Sequence, residues 1–239
     1  MMTRSTAVAR LGSTAALGGV GALVAGCVIA AVTYTGKGGE PYSPLNHFVS
    51  ELGELGVSRM ATAFNAGLMV GGIGFLVFMV CLAASLGGWP RFLWAPIGIV
   101  AGVGGFFVGV FPMNDIGRHT FAAMLFFNWG WISVALASLD IVRRRDARVP
   151  RWLALIGALT VAAFVAFLRE IPNNKVADNG HFLASPEARP EFWLLAALEW
   201  AVIAGILAWT LATALTWRWA ALGSAGNAAA DARDGGAAR

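Results

Sequence analysis

Six long apolar stretches limit what this chain can fold into, because each has about 20 or more residues, the length that a helix needs to cross a membrane. A helix rises about 1.5 Å per residue, and the hydrocarbon core of a bilayer is about 30 Å thick. Lipid offers the backbone no hydrogen-bond partner, whereas a helix satisfies its own backbone groups. The sequence therefore predicts an all-α polytopic membrane protein, a six-transmembrane-helix bundle. Its spans lie at about residues 12–34, 60–86, 92–112, 120–142, 152–171 and 192–217.

The overall composition supports a membrane protein and argues against a nucleic-acid partner. Of the 239 residues, 58% are hydrophobic and 13% are charged, whereas soluble proteins carry about 25% charged residues. A net charge of +4 and a pI near 9.7 would suit nucleic acid. However, five arginines crowd into one short loop and the others are scattered. We therefore expect membrane lipids as partners and no nucleic acid.

The first apolar stretch has a second interpretation. Residues 24–27, Val-Ala-Gly-Cys, resemble the cleavage box of a lipoprotein signal peptide and follow two arginines. A mature segment that begins at Cys27 would normally be polar, but residues 29–32 continue the apolar run. We favour an uncleaved helix and keep cleavage as the alternative. Cys81 also lies in an apolar run, so a disulfide with Cys27 is not expected.

The distribution of basic residues predicts that both termini are cytoplasmic. Lys and Arg concentrate in the cytoplasmic loops of membrane proteins. With the N-terminus inside, eleven of the seventeen Lys and Arg residues fall on the cytoplasmic side. The chain then divides into a cytoplasmic N-terminus (1–11), a membrane domain (12–217) and a Gly- and Ala-rich tail (218–239), which we expect to be disordered and cytoplasmic.

The arginine-rich loop at residues 143–151 carries most of the signal for this orientation, and it also has a second possible role. It sets the topology, and it could in addition bind anionic lipid head groups. Asp140, just before the loop, is expected to pair with it. The arginines of the loop are Arg143, Arg144, Arg145, Arg148 and Arg151.

The first outer loop contains a candidate short helix with two distinct faces. Ser43 can cap it and Pro44 suits its first turn. The helix could lie on the membrane with its polar face in water, or its polar face could form a lid over a cavity between the spans. The apolar face holds Leu45, Phe48, Val49 and Leu52, and the polar face holds His47, Ser50, Glu51 and Glu54.

In the second outer loop, a carboxylate and an imidazole are spaced like neighbours on one face of a helix. His119 follows Asp115 by four residues, so the two can share a face if both are helical. Such a pair would suit proton transfer or metal ligation. Alternatively, Asp115 caps the fourth helix. The third outer loop (172–190) is long and contains His181; it is either functional or an exposed surface loop.

Polar residues inside the spans are few and mark the bundle interior. Glu199 lies in the sixth span, where an ionisable group is expected to face the interior or water. Its partner could be Arg169 or a histidine. Asn65 and Asn128 are expected to form interhelical hydrogen bonds. Small-residue repeats predict packing seams within the monomer, at Gly67, Gly71, Gly98, Gly102, Gly105 and Gly109.

Together these residues suggest one candidate site and one metal hypothesis. The three histidines, His47, His119 and His181, all fall on the outer side and could bind a divalent metal, although no H-x-x-x-H or H-E-x-x-H motif supports this. The catalytic residues, if there are any, are not identified. The candidate outer polar pocket consists of His47, Ser50, Glu51, Asp115, His119 and Glu199.

Three motifs resemble those of a known family. The Ser-Glu-Leu-Gly element at 50–53, Phe64-Asn65 at the start of the second span, and Gly-Val-Phe-Pro at 109–112 followed by Asp115 and His119 resemble the bacterial DUF998 six-helix membrane family. The resemblance covers about residues 15–217 and implies a multi-pass protein of the bacterial inner (cytoplasmic) membrane. It implies no settled activity.

A second resemblance is confined to the first outer loop. The Ser-Glu-Leu-Gly element is similar to one in the eukaryotic Frag1/DRAM/Sfk1 group, whose members are associated with lipid handling, remodelling of GPI anchors and autophagy. The predicted function is therefore binding or handling of lipid by a polar pocket on the outer side. The alternatives are a metal-assisted interfacial lipid hydrolase, a small-solute or proton-coupled carrier, and an assembly factor without a ligand.

Overall fold

A computed structural model describes residues 4–174 and 189–237, with side chains described for 5–174 and 189–223. Six long helices account for most of these residues. Two short 3₁₀ helices, Val49–Gly53 and Ile171–Asn173, lie in the connections. The long helices are α1 (Arg4–Val32), α2 (Ala61–Leu86), α3 (Arg91–Val110), α4 (Ile116–Arg144), α5 (Leu153–Glu170) and α6 (Leu194–Ala237).

All six long helices are long and apolar enough to span a membrane. The predicted all-α, six-span architecture is therefore confirmed, and the chain is a multi-pass membrane protein. Most helix ends lie within a few residues of the predicted ones, since hydropathy reports the apolar core of a helix more sharply than its ends. The largest differences are at the start of α1 and the end of α6.

The helices form a ring in chain order. Each packs mainly on its sequence neighbours, and α6 closes the ring against α1. The α1–α2, α3–α4 and α5–α6 connections lie together on one side, which we call the long-loop face. There, the Leu55 backbone N–H donates to Asn114 Oδ1 at 2.8 Å, and the Trp193 N–H donates to the Leu45 carbonyl at 2.8 Å. The α2–α3 and α4–α5 connections lie on the opposite side, which we call the arginine face.

Glycines set the close contact between α1, α2 and α3. A methyl group added at Gly74 would lie 2.5 Å from the Ala15 carbonyl oxygen, and one added at Gly109 would lie 2.5 Å from that of Asn65. At such sites only a glycine lets the backbones approach. The predicted seams within the monomer are thus present. Gly105 differs, because the space at its Cβ position is open to about 4.0 Å.

The arginine face is held by hydrogen bonds to carbonyls at the C-terminal end of α2. Arg144 donates to the carbonyls of Leu86 and Gly87 at 2.7 Å each, and its Nε lies 2.8 Å from Asp140 Oδ1. These bonds satisfy the C-terminal carbonyls of α2, which lack partners within the helix. Asp140 also accepts the Trp94 indole N–H at 3.1 Å. The expected pairing of Asp140 with the arginine-rich loop is therefore confirmed.

A second arginine of the same loop also pairs with a carboxylate and donates to a carbonyl of α2. Arg148 pairs with Asp146 at 2.7 Å and donates to the Ser85 carbonyl at 3.3 Å. The hydrogen bond from Arg148 lowers the pKa of Asp146 below its usual value. Arg144 and Arg148 thus have structural partners, whereas binding of anionic lipid by the loop stays a prediction.

Two expectations differ from the structure. Asn128 is exposed on the outside of α4 and donates to the Met124 carbonyl at 2.9 Å in its own helix, so it makes no interhelical bond among the described residues. The prediction for Asn128 is wrong because the sequence pattern alone did not determine which side of α4 faces the neighbouring helices. The expected disordered tail (218–239) also differs, since α6 continues as a helix to Ala237. Its many alanines favour helix intrinsically.

Candidate functional site

A lid closes the long-loop end of the ring. This lid is the 3₁₀ helix Val49–Gly53, in which Val49, Glu51, Leu52 and Gly53 are buried. The sequence predicted a longer amphipathic helix from Ser43, but residues 44–46 form turns instead. Arg189 of the α5–α6 connection packs on the polar side of the predicted helix, whereas Leu45 of its apolar side is exposed. Residues 49–53 cover the cavity below, but of the four residues of the predicted polar face only Ser50 lines it, so the lid is not formed by that face as a whole.

Glu199 fastens the lid to α6. Its Oε2 accepts the Val49 backbone N–H at 2.6 Å, and the Ser50 backbone N–H also donates to this carboxyl group. The first N–H groups of a helix have no partner within it, so Glu199 acts as a cap supplied from another helix. Glu199 is 7% exposed. The expectation that it faces the interior is met, but its partners are backbone amides rather than Arg169 or a histidine.

Glu51 fastens the lid to the α5–α6 connection. Its two oxygens lie 3.0 and 2.9 Å from the two terminal nitrogens of Arg189, and Oε1 also accepts the Phe48 N–H at 2.8 Å. The Tyr34 hydroxyl donates to Oε2 at 3.4 Å. Burial disfavours the charge on Arg189, but its hydrogen bonds to Glu51 and the nearby charges of Glu51 and Glu40 together outweigh this effect and raise the pKa of Arg189.

His47 belongs to an aromatic cluster beside the lid rather than to the cavity below it. Its ring lies 5.4 Å from Tyr34 and 5.1 Å from Tyr42 between centroids, and its Nδ1 lies 2.8 Å from Asn46 Oδ1. Its Nε2 is 3.8 Å from Glu40 Oε1. Burial lowers the pKa of His47, although the nearby Glu51 and Glu40 oppose this effect.

Further contacts hold the lid from α2 and α6. The Asn65 side chain donates to the Gly53 carbonyl at 3.0 Å. The Trp200 indole donates to the Tyr42 hydroxyl at 2.9 Å, and that hydroxyl donates to the Phe48 carbonyl at 2.9 Å. The lid is therefore fixed to four separate parts of the chain: α6, the α5–α6 connection, α2 and Tyr34 after α1.

A cavity of about 100 Å³ lies directly beneath the lid, inside the ring. It is partly open, and residues of α1, α2, α3, α4, α6 and the lid line it. From Glu199 to Thr210, α6 rises about 16 Å along the cavity, roughly half of the hydrocarbon core of a bilayer. Many lining residues are small, including Ala16, Gly19, Gly71, Gly72, Gly102 and Gly105.

The polar residues of the lining lie at its two ends. Ser50, His119 and Glu199 lie at the lid end, and Thr210 lies near the middle of the apolar segment of α6. All other described lining residues are apolar or glycine. The cavity therefore has the character of a narrow apolar channel with one polar mouth.

His119 lies at that mouth and is held in place through one ring nitrogen. Its Nδ1 lies 2.9 Å from the Phe111 carbonyl oxygen at the end of α3. The expected pair with Asp115 does not form. Asp115 is instead the N-cap of α4: its Oδ1 accepts the Arg118 backbone N–H at 3.2 Å, and its Oδ2 lies 3.4 Å from the Arg118 guanidinium. The alternative role of Asp115 as a cap is thus the one observed.

The structure separates the predicted site residues into three groups. Ser50, His119 and Glu199 line one cavity, while Glu51 and His47 support the lid beside it. Asp115 lies at the surface, outside the lining. Among the described residues, no three His, Cys, Asp or Glu side chains are close enough to hold a metal ion. His181 lies outside the described residues, so the three-histidine hypothesis stays untested.

Several residues that hold the lid were not predicted from the sequence. They are Arg189, Tyr34, Tyr42 and Trp200. One signal was available: the two tyrosines of the whole chain both fall in the first outer loop. Their burial raises the pKa of both hydroxyls, which keeps them protonated hydrogen-bond donors.

Comparison with known proteins gives one match. Residues 16–216 match the family described as "Protein of unknown function (DUF998)". No curated protein and no solved structure matches the chain, so the likeness to the Frag1/DRAM/Sfk1 group stays a hypothesis based on residues 50–53. Because the family match covers well over half of the sequence, this multi-pass membrane protein belongs to the DUF998 family.

Proposed function

We propose that this protein binds or handles membrane lipid, taking one hydrocarbon chain of an amphiphile into the cavity and holding its polar end beneath the lid. The observation that carries this proposal is the shape and polarity of the cavity. Apart from Thr210 at the far end it is apolar along its length, and three polar side chains lie at the lid end. An amphiphile has the same division between chain and head group.

The dimensions of the cavity support a single chain. The cavity runs from the lid to about the middle of the α6 apolar segment. That distance, about 16 Å, equals the reach of a lipid chain across one leaflet, which is half of a core about 30 Å thick. A volume near 100 Å³ is narrow, and Gly105, with nothing closer than 4.0 Å to its Cβ position, leaves room along the path.

The orientation and membrane of this site are part of the proposal. The arginine-rich loop favours the cytoplasm for the arginine face, which puts the lid on the outer side of a bacterial inner membrane. The ligand would then come from the outer leaflet, whose head groups lie at the level of the lid.

Native mass spectrometry of protein released gently from membranes tests this proposal. We expect one retained lipid per chain in the wild type. Gly105→Leu fills the cavity from a position where the backbone is not crowded, and it should abolish retention. Gly18→Leu is the matched control, because Gly18 is exposed outside the ring with open space at its Cβ position. A wild type that retains no lipid, or equal retention in both variants, would overturn the proposal.

A further inference from the structure

The mouth of the cavity presents hydrogen-bond acceptors and no cation, and this limits the head group that it can take. None of the described residues that line the cavity is Lys or Arg. Arg189, the cation bound to the lid, already makes a two-pronged contact with Glu51 and donates to the Asn46 carbonyl at 2.6 Å. An anionic head group at the mouth would therefore lose its hydration without gaining a counter-charge.

The tautomer of His119 follows from its partner. The Phe111 carbonyl can only accept a hydrogen bond, so Nδ1 of His119 must carry the proton that it donates. In a neutral imidazole the other nitrogen, Nε2, then has a free lone pair and accepts. Nε2 makes no hydrogen bond to any residue that the structure describes. His119 thus offers the cavity an acceptor.

Of the other two polar residues at the mouth, Glu199 fits the same pattern. The groups that meet the Glu199 carboxyl, the backbone N–H groups of Val49 and Ser50, are both donors, and the carboxyl serves them as an acceptor. The Ser50 hydroxyl can accept or donate. A ligand that satisfies His119 and Glu199 must therefore bring N–H or O–H groups.

We infer that the ligand is a single-chain or chain-inserting amphiphile whose polar end donates hydrogen bonds, a hydroxyl or an amine, rather than a carboxylate or a phosphate. This inference rests on the proposed lipid-binding function and names the chemical class of its ligand. The hydroxyl or ammonium group donates to His119 Nε2 and to the Glu199 carboxyl. The hydrocarbon chain extends toward Thr210.

A series of amphiphiles with one saturated chain of equal length tests the inference. The four probes end in a hydroxyl, a primary amine, a carboxylate or a phosphate monoester, and their affinities are measured on the full-length protein by native mass spectrometry titration. The alcohol and the amine should bind about 10-fold tighter or more than the two anions, since one net hydrogen bond is worth about a factor of 10. Equal or tighter binding of the anions would overturn the inference while leaving lipid binding intact. Failure of all four probes to bind would instead contradict the proposed function itself.

Two variants test which residue of the cavity produces the preference for head groups that donate hydrogen bonds. His119→Ala should reduce alcohol and amine binding about 10-fold and leave the carboxylate unchanged or slightly improved. Thr210→Val is the control: it changes the far end of the same cavity and removes a buried hydroxyl that has no partner among the described residues. It should keep the preference for donors. If the preference for the alcohol and the amine survives in His119→Ala and disappears in Thr210→Val, the role assigned to His119 is wrong. If His119→Ala does not fold, the four affinities of the wild type alone test the inference.

Discussion

The carboxylate of Glu199 in α6 accepts the backbone N–H of Val49 at 2.6 Å, across 150 residues of chain. This bond joins the last helix of the ring to the lid that covers its centre. Glu199 therefore has two tasks in one position: it caps the lid helix and it forms part of the polar mouth of the cavity.

Glu199→Ala should loosen the lid. The substitution leaves the Val49 N–H buried without an acceptor, which costs about 1–3 kcal/mol. Hydrogen exchange of the residue 48–52 amides should accelerate, and the melting temperature should fall. Glu191→Ala, at an exposed position three residues before α6 begins, is the control. Unchanged exchange at the lid in Glu199→Ala would show that the lid does not depend on this bond.

The buried ion pair between Glu51 and Arg189 should show strong coupling in a double-mutant cycle. Their side chains are only 10% and 12% exposed, so removing one partner leaves an uncompensated charge and costs about 3–5 kcal/mol. Removing both should cost clearly less than the sum of the single changes.

The Asp115–Arg118 pair provides the matched comparison on the same face. Its side chains are 46% and 70% exposed, and a cycle on such a pair should give a coupling of about 1 kcal/mol or less. Thermal or denaturant unfolding in detergent measures both cycles. Similar coupling energies for the two pairs would contradict the burial seen for Glu51 and Arg189.

Acidification should destabilise the loop assembly through His47. Burial lowers its pKa in the folded protein below the usual value of 6.5, so the unfolded chain binds the proton more readily. The stabilising contribution is therefore fully present above about pH 6.5 and is lost as pH falls through the folded-state pKa. His47→Gln should flatten the dependence of melting temperature on pH between about pH 7 and pH 5. An identical slope in the variant would exclude His47 as its source.

A single methyl group added at the α1–α2 seam should destabilise the protein. At Gly74 a Cβ would lie 2.5 Å from the Ala15 carbonyl oxygen, whereas at Gly18 it would meet nothing within 4 Å. Gly74→Ala should destabilise the protein by about 1–3 kcal/mol through overpacking. Gly18→Ala should be neutral or stabilising by up to about 1 kcal/mol, because alanine favours helix. Comparable melting temperatures for the two variants would show that the seam is not tightly packed.

The spans and their seams were predictable because their signals are local. Hydropathy over about 20 residues identifies a membrane span, and the glycine spacing in α2 identified Gly67 as a seam residue, now close to the Ala22 carbonyl. Glu199 was recognisable because an ionisable residue inside a span has to face a polar interior.

The construction of the site was not predictable, because its contacts join distant parts of the chain. Arg189 meets Glu51 across 138 residues, and no local pattern announces that pairing. The spacing of Asp115 and His119 suggested a pair, but Asp115 sits at the cap, before the helix proper. There its carboxylate accepts the Arg118 N–H, and His119 forms its hydrogen bond with the Phe111 carbonyl instead.

The central claim, that a lipid chain occupies the cavity, is tested most directly by photo-crosslinking. A membrane-incorporated fatty alcohol with a photoreactive group near its chain end is activated, and the labelled peptides are mapped by mass spectrometry. A chain inside the cavity should label residues deep in it, such as Phe75, Ile206 and Thr210, and these labels should be lost in Gly105→Leu. Labels confined to outward-facing residues of α5, such as Leu155 and Leu159, would contradict it.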